Sequence, residues 1–521
     1  MKQSLIALLA GIFLFTACSK TSNENQISTS TSDEITAAQL QTPQQINAII
    51  KTAINNKGAF DWNEASDLTI YSAVMHSEDH MVSVGYKPAD ESNIDGRLAH
   101  INIHDARWSA AKAQVIQIIL QEEQRLNPKL KAENVEVWKE NKLPVIDIKV
   151  DNFNTIKLLR SSNLIRYVEP ISYEPENYDA ALHDQLEKSL SGGNGDGGSG
   201  CGGYVGDPNL QAGDDYINIL PGAKQSWNYT YHNIPNAWAL STGAGIKIMV
   251  IDTGVSPDQD NMNSQFNQGY SSGRTIQKIV TLPNTLTADD NCGHGTCMSS
   301  TATAPRCIDG NSCGIAYNSN LVVCKAVNDV IIDNGAETKG VSDAYTYGAD
   351  DSSIKIISLS LGRVTSSGQI KDAINYAYGK GKLMFCAAGT STVFTSWYGV
   401  IFPATLPNVE AVTGVKNTSN LVACGDCHKG SQVDFVIVMQ KTSDGGSPIA
   451  NAISGDVPTT VGGSSVATSS SAGIAALVWS AHPTETRDQI LNRLTTTASS
   501  YPKKNKNYGY GKLDAYAAIV Q

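Results

Sequence analysis

Two folded units are predicted: a large α/β unit on a doubly wound, mostly parallel sheet over residues 216–521, and a small α+β unit before it over residues 61–175. Three observations predict them. From about residue 215 onward, short near-continuous apolar runs alternate with helical stretches, as strands covered on both faces do. The stretch before residue 176 mixes helical spacing with strict two-residue alternation. A Gly-dominated break at residues 191–203 separates the two. At 521 residues the chain is too long for one ordinary domain, and 41% hydrophobic against 17% charged residues is enough to build real cores. The 39 basic and 50 acidic side chains leave a formal charge of -11 with no long Lys/Arg run, so no nucleic-acid partner is expected. No apolar stretch reaches the roughly 18 residues of a membrane-spanning helix.

The N-terminus reads as an export address. Lys2 supplies a positive start, and residues 5–15 are almost wholly apolar but too short for a mature anchor. Small residues before a lone Cys, in Phe15-Thr16-Ala17-Cys18-Ser19, resemble a bacterial lipoprotein signal with Cys18 as the lipidated first mature residue. Phe15 stands where Leu is more usual. The plainer reading is an ordinary cleaved signal that contains a Cys. Residues 1–18 are assigned as signal and residues 19–60 as a polar tether. The product is lipid-anchored to the cell envelope or secreted. Oxidising surroundings let the nine cysteines after Cys18 pair, and an odd number leaves at least one unpaired. Cys307/Cys313 and Cys424/Cys427 are the expected local pairs, and Cys386 a buried thiol. No Cys-x-x-Cys repeat with a matching His pair supports zinc.

In the small unit, residues 69–74 and 81–84 are expected strands. Trp108, Ala111, Val115, Ile118 and Ile119 fall at helical spacing, and Ile146, Ile148 and Val150 alternate with Asp147 and Lys149 as in a half-buried strand. A helix over residues 153–160 and a strand over residues 164–168 complete a split β-α-β order of ferredoxin-like type. No cluster here carries chemistry. Residues 176–215 are assigned as a Gly-rich, protease-accessible linker.

In the large unit, residues 246–251, 321–324, 354–357, 383–386 and 433–438 are expected strands, with helices such as residues 370–378 between several of them. Sites in such sheets lie at the carboxyl ends of strands. Three motifs fall there. The first strand runs into Asp252-Thr253-Gly254. Asn291-Cys292-Gly293-His294-Gly295-Thr296 opens a helix of small residues. Gly462-Gly463-Ser464-Ser465-Val466-Ala467-Thr468 opens another that runs to about Ala481. A Ser at a helix N-terminus has unpaired N–H groups and the positive dipole end beside it, both suited to an oxyanion. Singly these motifs read as a turn, a surface histidine and a helix cap. Together, in the order Asp, His, Ser on an α/β chain, they match a nucleophilic triad.

Residues 216–521 resemble a subtilisin-like serine protease of the subtilase family. Beyond the three motifs, Ser360, Leu361 and Gly362 resemble the strand that pairs with substrate, and Ala387, Ala388 and Gly389 the far wall of the primary specificity pocket. Residues 402–409 resemble the segment shaping that pocket's base, and residues 509–515 the family's closing motif. Residues 61–175 resemble the family's inhibitory prosegment, most clearly at residues 158–170, and the linker then carries the processing region. The resemblance implies a subtilisin-like fold and acyl transfer. Ser465 attacks, His294 moves the proton, and Asp252 orients the imidazole. It implies protein or peptide substrates, the chain's own prosegment as intramolecular inhibitor, a monomer, and no cofactor in the chemistry. A structural Ca²⁺ is compatible with the family but assigned to no residues.

One position departs in a way that bears on rate. The residue after Ala387-Ala388-Gly389 is Thr390, where the family has Asn completing an oxyanion hole with the Ser465 N–H. Losing such an Asn donor costs about 10²–10³ in kcat. A Thr hydroxyl is a donor on a shorter arm. The expected function is an exported, self-processing serine endopeptidase. The alternative is a catalytically impaired relative that binds peptides in its cleft. Ser464, Val466, Ser469 and Cys297 are further departures from the family pattern.

Overall fold

The small unit begins earlier than its composition suggests. The computed structural model describes residues 35–175, 200–390 and 399–521; Cys18 and the signal, residues 19–34, residues 176–199 and residues 391–398 lie outside the described residues. Residues 43–60, assigned above to the tether, are folded. Helix α1 (Pro43–Lys57) starts at Thr42, whose hydroxyl accepts from the Gln45 N–H while Gln45 Oε1 accepts from the Thr42 N–H. It ends at Gly58 with φ 81°. Ile46, Ile50 and Ile54 form one buried stripe that the polar remainder of the helix conceals in the sequence.

A second correction concerns residues 69–74. They lie in helix α2 (Asp67–His76), not in a strand, because Ser66 caps the segment by accepting from the Thr69 N–H at 3.1 Å. Residues 69–74 are all buried, so no face alternates visibly. Then follow β1 (Met81–Tyr86), α3 (Ala106–Glu123), β2 (Val145–Lys149), α4 (Phe153–Ser161) and β3 (Ile165–Pro170). The sheet is antiparallel, ordered β2-β1-β3, and so has one strand fewer than the sequence reading implies.

In the large unit a hairpin of β4 (Tyr216–Ile219) and β5 (Ala223–Ser226) and a short α5 (Ile234–Ala237) precede the main fold. That fold runs β6 (Lys247–Asp252), β7 (Ile276–Val280), α6 (His294–Thr303), β8 (Asn320–Lys325), α7 (Gly335–Asp350), β9 (Ile354–Leu359), α8 (Gly368–Gly379), β10 (Leu383–Ala387), β11 (Glu410–Lys416) and β12 (Val433–Gln440). The seven strands are ordered β12-β11-β10-β9-β6-β8-β7, and every pair is parallel, the α/β sheet expected. A small pair, β13 (Ile449–Ala450) and β14 (Thr459–Thr460), leads into α9 (Gly463–Ala481), α10 (Arg487–Thr497) and α11 (Ala515–Val520). Ile248 and Val250 of β6 join one core with Leu477 and Val478 of α9; Met249 and Ile251 join another with Val341 and Ala344 of α7. This second core continues into the small unit through Ile370, Ile374, Val84 and Val168. Among the described residues no helix is long and apolar enough to cross a membrane.

Polar contacts fix that docking. Arg166 grips Asp372 with both guanidinium arms at 2.5 and 2.7 Å, and Tyr167 donates to the same carboxylate at 3.0 Å. Glu169 accepts from the N–H of Gly368, the first residue of α8, at 2.5 Å. Glu174 is fully buried against Arg363 Nε at 2.9 Å and accepts from the Val364 N–H at 2.7 Å. A buried pair of this kind holds only while both partners are present.

One cysteine pair is local and one is tertiary. Cys424 and Cys427 are bonded as expected, and Cys386 is a buried thiol. Cys307 and Cys313 are not paired, contrary to expectation. Both are buried thiols in the core under α9, turned toward the carbonyls of Asn311 and Gly314 at 3.4 Å. A second disulfide joins Cys201 to Cys292, 91 residues apart. Residues 200–215, assigned to the linker, are therefore held on the large unit, with the Gly202 N–H donating to the Cys292 carbonyl at 3.1 Å.

Asp147 of β2 lies fully buried at this docking face, accepting from Gln369 Nε2 at 3.0 Å, and burial pushes its carboxyl from 3.8 up to about 7. The packed state therefore binds this proton more tightly than the unfolded chain does. Its contribution is most favourable below pH 3.8 and is lost as pH rises through about 7. Urea unfolding across that range should lose stability by a few kcal/mol, at about 1.4 kcal/mol per pKa unit, and Asp147→Asn should flatten the slope.

Candidate active site

The site is assembled where β6 ends. Asp252, its last residue, is completely buried, and its Oδ1 accepts from His294 Nδ1 at 2.8 Å and from the Thr253 N–H at 2.8 Å. His294 opens α6 and is 4% exposed. With Nδ1–H given to Asp252, the tautomer is fixed and Nε2 is left as the basic nitrogen. Burial lowers the imidazole pKa, but the charge and hydrogen bond of Asp252 outweigh it, so His294 sits above its ordinary value.

Two glycines permit this approach. A Cβ on Gly295 would lie 2.4 Å from the Gly254 carbonyl oxygen, so only glycine lets α6 start against the Asp252 turn. Gly293 has φ 91°. Asp290, which the sequence reading missed, organises the turn between them. It accepts from the N–H groups of Cys292, Gly293 and Thr296 and from the hydroxyls of Thr253 and Thr296, at 2.6–3.1 Å. An Asp before a small-residue helix was its available signal.

Ser465 lies in the first turn of α9 and is half-buried. Its hydroxyl donates to the Ser360 carbonyl at 3.2 Å, and Ser360 Oγ donates back to the Ser465 carbonyl at 2.8 Å. Thr390 Oγ1 accepts from the Ser464 N–H at 3.1 Å and lies 3.0 Å from Ser464 Oγ, while the Gly389 N–H donates to Ser464 Oγ at 3.2 Å. The Thr390 hydroxyl is thus seated at the N-terminus of α9, beside the expected nucleophile.

Residues 360–362 and 387–389 lie at the carboxyl ends of adjacent parallel strands β9 and β10, where the sequence reading expects substrate. The Gly362 carbonyl already accepts from the Ile332 N–H at 3.1 Å. Ile401, unremarked in the sequence, packs against both segments. Its N–H donates to the Ala388 carbonyl at 3.0 Å, and a Cβ on Gly362 would meet Ile401 Cδ1 at 2.4 Å. Among the described residues no group of three or more His, Cys, Asp or Glu side chains is placed to hold a metal ion.

The profile of the subtilase family matches residues 243–511, just over half of the chain. The chain belongs to the subtilase family. Thermitase of Thermoactinomyces vulgaris is 28% identical over 286 residues, 55% of this chain and 92% of the relative. Subtilisin DY of Bacillus licheniformis is 27% identical over 278 residues, 53% of this chain and 91% of the relative. The structure of fervidolysin from Fervidobacterium pennivorans, a keratinolytic enzyme related to subtilisin, aligns with a TM-score of 0.57 at 17% identity, over 85% of this chain and 61% of that one. This subtilase has the subtilisin-like fold and is a serine endopeptidase.

As the base expected from the sequence, His294 has to be neutral to accept a proton, so the acidic limb of kcat/KM for this subtilase should lie above pH 6.5. Asp252→Asn should lower kcat by about 10⁴-fold with an unchanged circular-dichroism spectrum, through loss of the required tautomer.

Proposed function

We propose that this subtilase is an exported, self-processing endopeptidase acting on protein substrates through Asp252, His294 and Ser465, with residues 61–175 as its inhibitory prosegment. The observation that carries the reading is the buried 2.8 Å hydrogen bond from His294 to Asp252, with the expected nucleophile Ser465 in the first turn of α9. In the reaction Ser465 Oγ turns from the Ser360 carbonyl to His294 Nε2, gives up its proton there and attacks the scissile carbonyl. The Ser465 N–H and Thr390 hydroxyl face the resulting oxyanion. His294 returns the proton to the leaving amine, and water then cleaves the acyl-enzyme by the same steps in reverse. A peptide strand pairing beside Ser360 competes for the carbonyl that Ser465 uses, so substrate binding frees the nucleophile.

The prosegment role is supported by the docking of the small unit on α7 and α8, with Glu174 buried at Arg363, one residue beyond Gly362. The peptide-binding alternative rests on Thr390 alone. Its hydroxyl, seated beside Ser464, favours a slowed enzyme over an inert one. Export and lipid attachment at Cys18 rest on the N-terminal sequence.

We infer that Ile401, packed against Gly362 and Ala388, narrows the substrate-binding segment expected at residues 360–362 and 387–389. The residue that supplies the scissile carbonyl should be Gly, Ala or Ser. Ile401→Gly should shift preference toward Leu or Phe by about 10–200-fold in kcat/KM, read with matched peptide anilides.

Self-processing is tested by intact mass and N-terminal sequencing of wild type and Ser465→Ala, both lacking residues 1–18. Wild type should be cut between about Glu174 and Trp227 and the variant should stay full length. Identical masses for the two would contradict self-processing.

A further inference from the structure

Residues 200–209 form a strap across the outer side of the triad. Cys201 is bonded to Cys292, two residues before His294, and the Gly202 N–H donates to the Cys292 carbonyl at 3.1 Å. On the other side the Ile453 N–H donates to the Tyr204 carbonyl at 2.8 Å, and the Asp207 N–H to the Pro458 carbonyl at 2.9 Å. The strap therefore spans from the loop that delivers His294 to the loop that delivers Ser465. Tyr204 is its centre. Its hydroxyl donates to the Gly200 carbonyl at 2.8 Å, and its ring stands edge-on to the His294 imidazole, centroids 6.2 Å apart at 69°. A Cβ on Gly293 would lie 2.7 Å from Tyr204 Cδ2, so the glycine beside His294 makes room for this ring.

We propose that this strap belongs to the catalytic unit rather than to the linker, and that Tyr204 is a positioning residue that keeps water off His294 and holds its ring on Asp252. The proposal rests on the triad reading. A disulfide-clipped strap stays attached after any cut among residues 176–199, so the processed enzyme keeps Tyr204 in place. The other charged groups that bear on His294 are Asp252 from β6 and Asp290 from the turn before α6, while the buried Cys297 thiol of α6 donates to the Asn451 carbonyl. Lys325 of β8 stands behind them, donating to the Thr253 and Asp289 carbonyls at 3.0 and 2.9 Å. None of these covers the ring edge that Tyr204 covers. Without Tyr204, water reaches the imidazole, the cation becomes easier to form, and the His294 titration moves up.

The test uses the full chain lacking residues 1–18, with Tyr204→Phe, Tyr204→Ala and Cys201→Ser. A short peptide anilide reports kcat, KM and the pH profile. Tyr204→Ala should lose about 10–100-fold in kcat with KM within about twofold, the range seen for a misplaced catalytic group. Its acidic limb should move to higher pH, Tyr204→Phe should match wild type, and Cys201→Ser should fall between. The processed N-terminus should lie at or before Gly200. In a Ser465→Ala background, where nothing is cut, NMR titration of His294 should show the same upward move on adding Tyr204→Ala. An active wild type with kcat, limb and NMR titration unmoved by Tyr204→Ala would overturn the proposal, as would a Tyr204→Phe variant that loses as much as Tyr204→Ala. A wild type with no activity and no processing would instead refute the triad reading, and the strap proposal would fall with it. If Tyr204→Ala fails to fold, Cys201→Ser with Tyr204 present decides: wild-type kcat and limb there overturn the proposal.

Discussion

A carboxylate with no exposure to water, at the end of a central strand, is the constraint around which the site is built. Placing the Asp252 charge there costs several kcal/mol unless it is hydrogen-bonded and paired. The chain meets that demand at Oδ1, locally through the Thr253 N–H and across the fold through His294 Nδ1–H, and leaves the buried Oδ2 without a hydrogen bond. The second bond requires α6 to begin within contact of the β6 turn, hence a glycine at 295 and the Asp290 network that shapes the turn. One hydrogen bond thus fixes the tautomer, the ring orientation and the position of a helix.

Around that pair three separated stretches of chain converge. The α9 N-terminus carries Ser465, Ile401 packs against Gly362 and Ala388 beyond the ends of β9 and β10, and Tyr204 of the strap at residues 200–209 stands edge-on to the imidazole. The small unit reaches the same neighbourhood by burying Glu174 against Arg363 and extending the apolar core of α7 and α8.

The parallel sheet is legible in the sequence because strands buried on both faces read as apolar runs: residues 246–251, 321–324, 354–357, 383–386 and 433–438 fall on β6, β8, β9, β10 and β12. The edge strand β7 is missed, since Gln277 and Lys278 face solvent and break its run, and so is the buried β11, where Thr413 and Gly414 interrupt a short apolar stretch. The Asp252, His294 and Ser465 motifs are legible because each needs small residues beside it for close backbone approach. Residues 69–74 mislead because a segment buried all round has no period, and the Ser66 cap settles it. The α1 stripe of three isoleucines was present but diluted by Asn, Gln and Lys. The Cys201–Cys292 disulfide, Tyr204 and Ile401 act through contacts between distant stretches, for which no local spacing exists.

The most direct test of the account is covalent. The processed enzyme would be treated with a fluorophosphonate, digested, and its peptides mapped by mass spectrometry, with His294→Ala as the comparison. A single adduct on Ser465, lost in the variant, is the predicted result. No adduct, or one on Ser464 or another hydroxyl, would contradict the assignment of nucleophile and base.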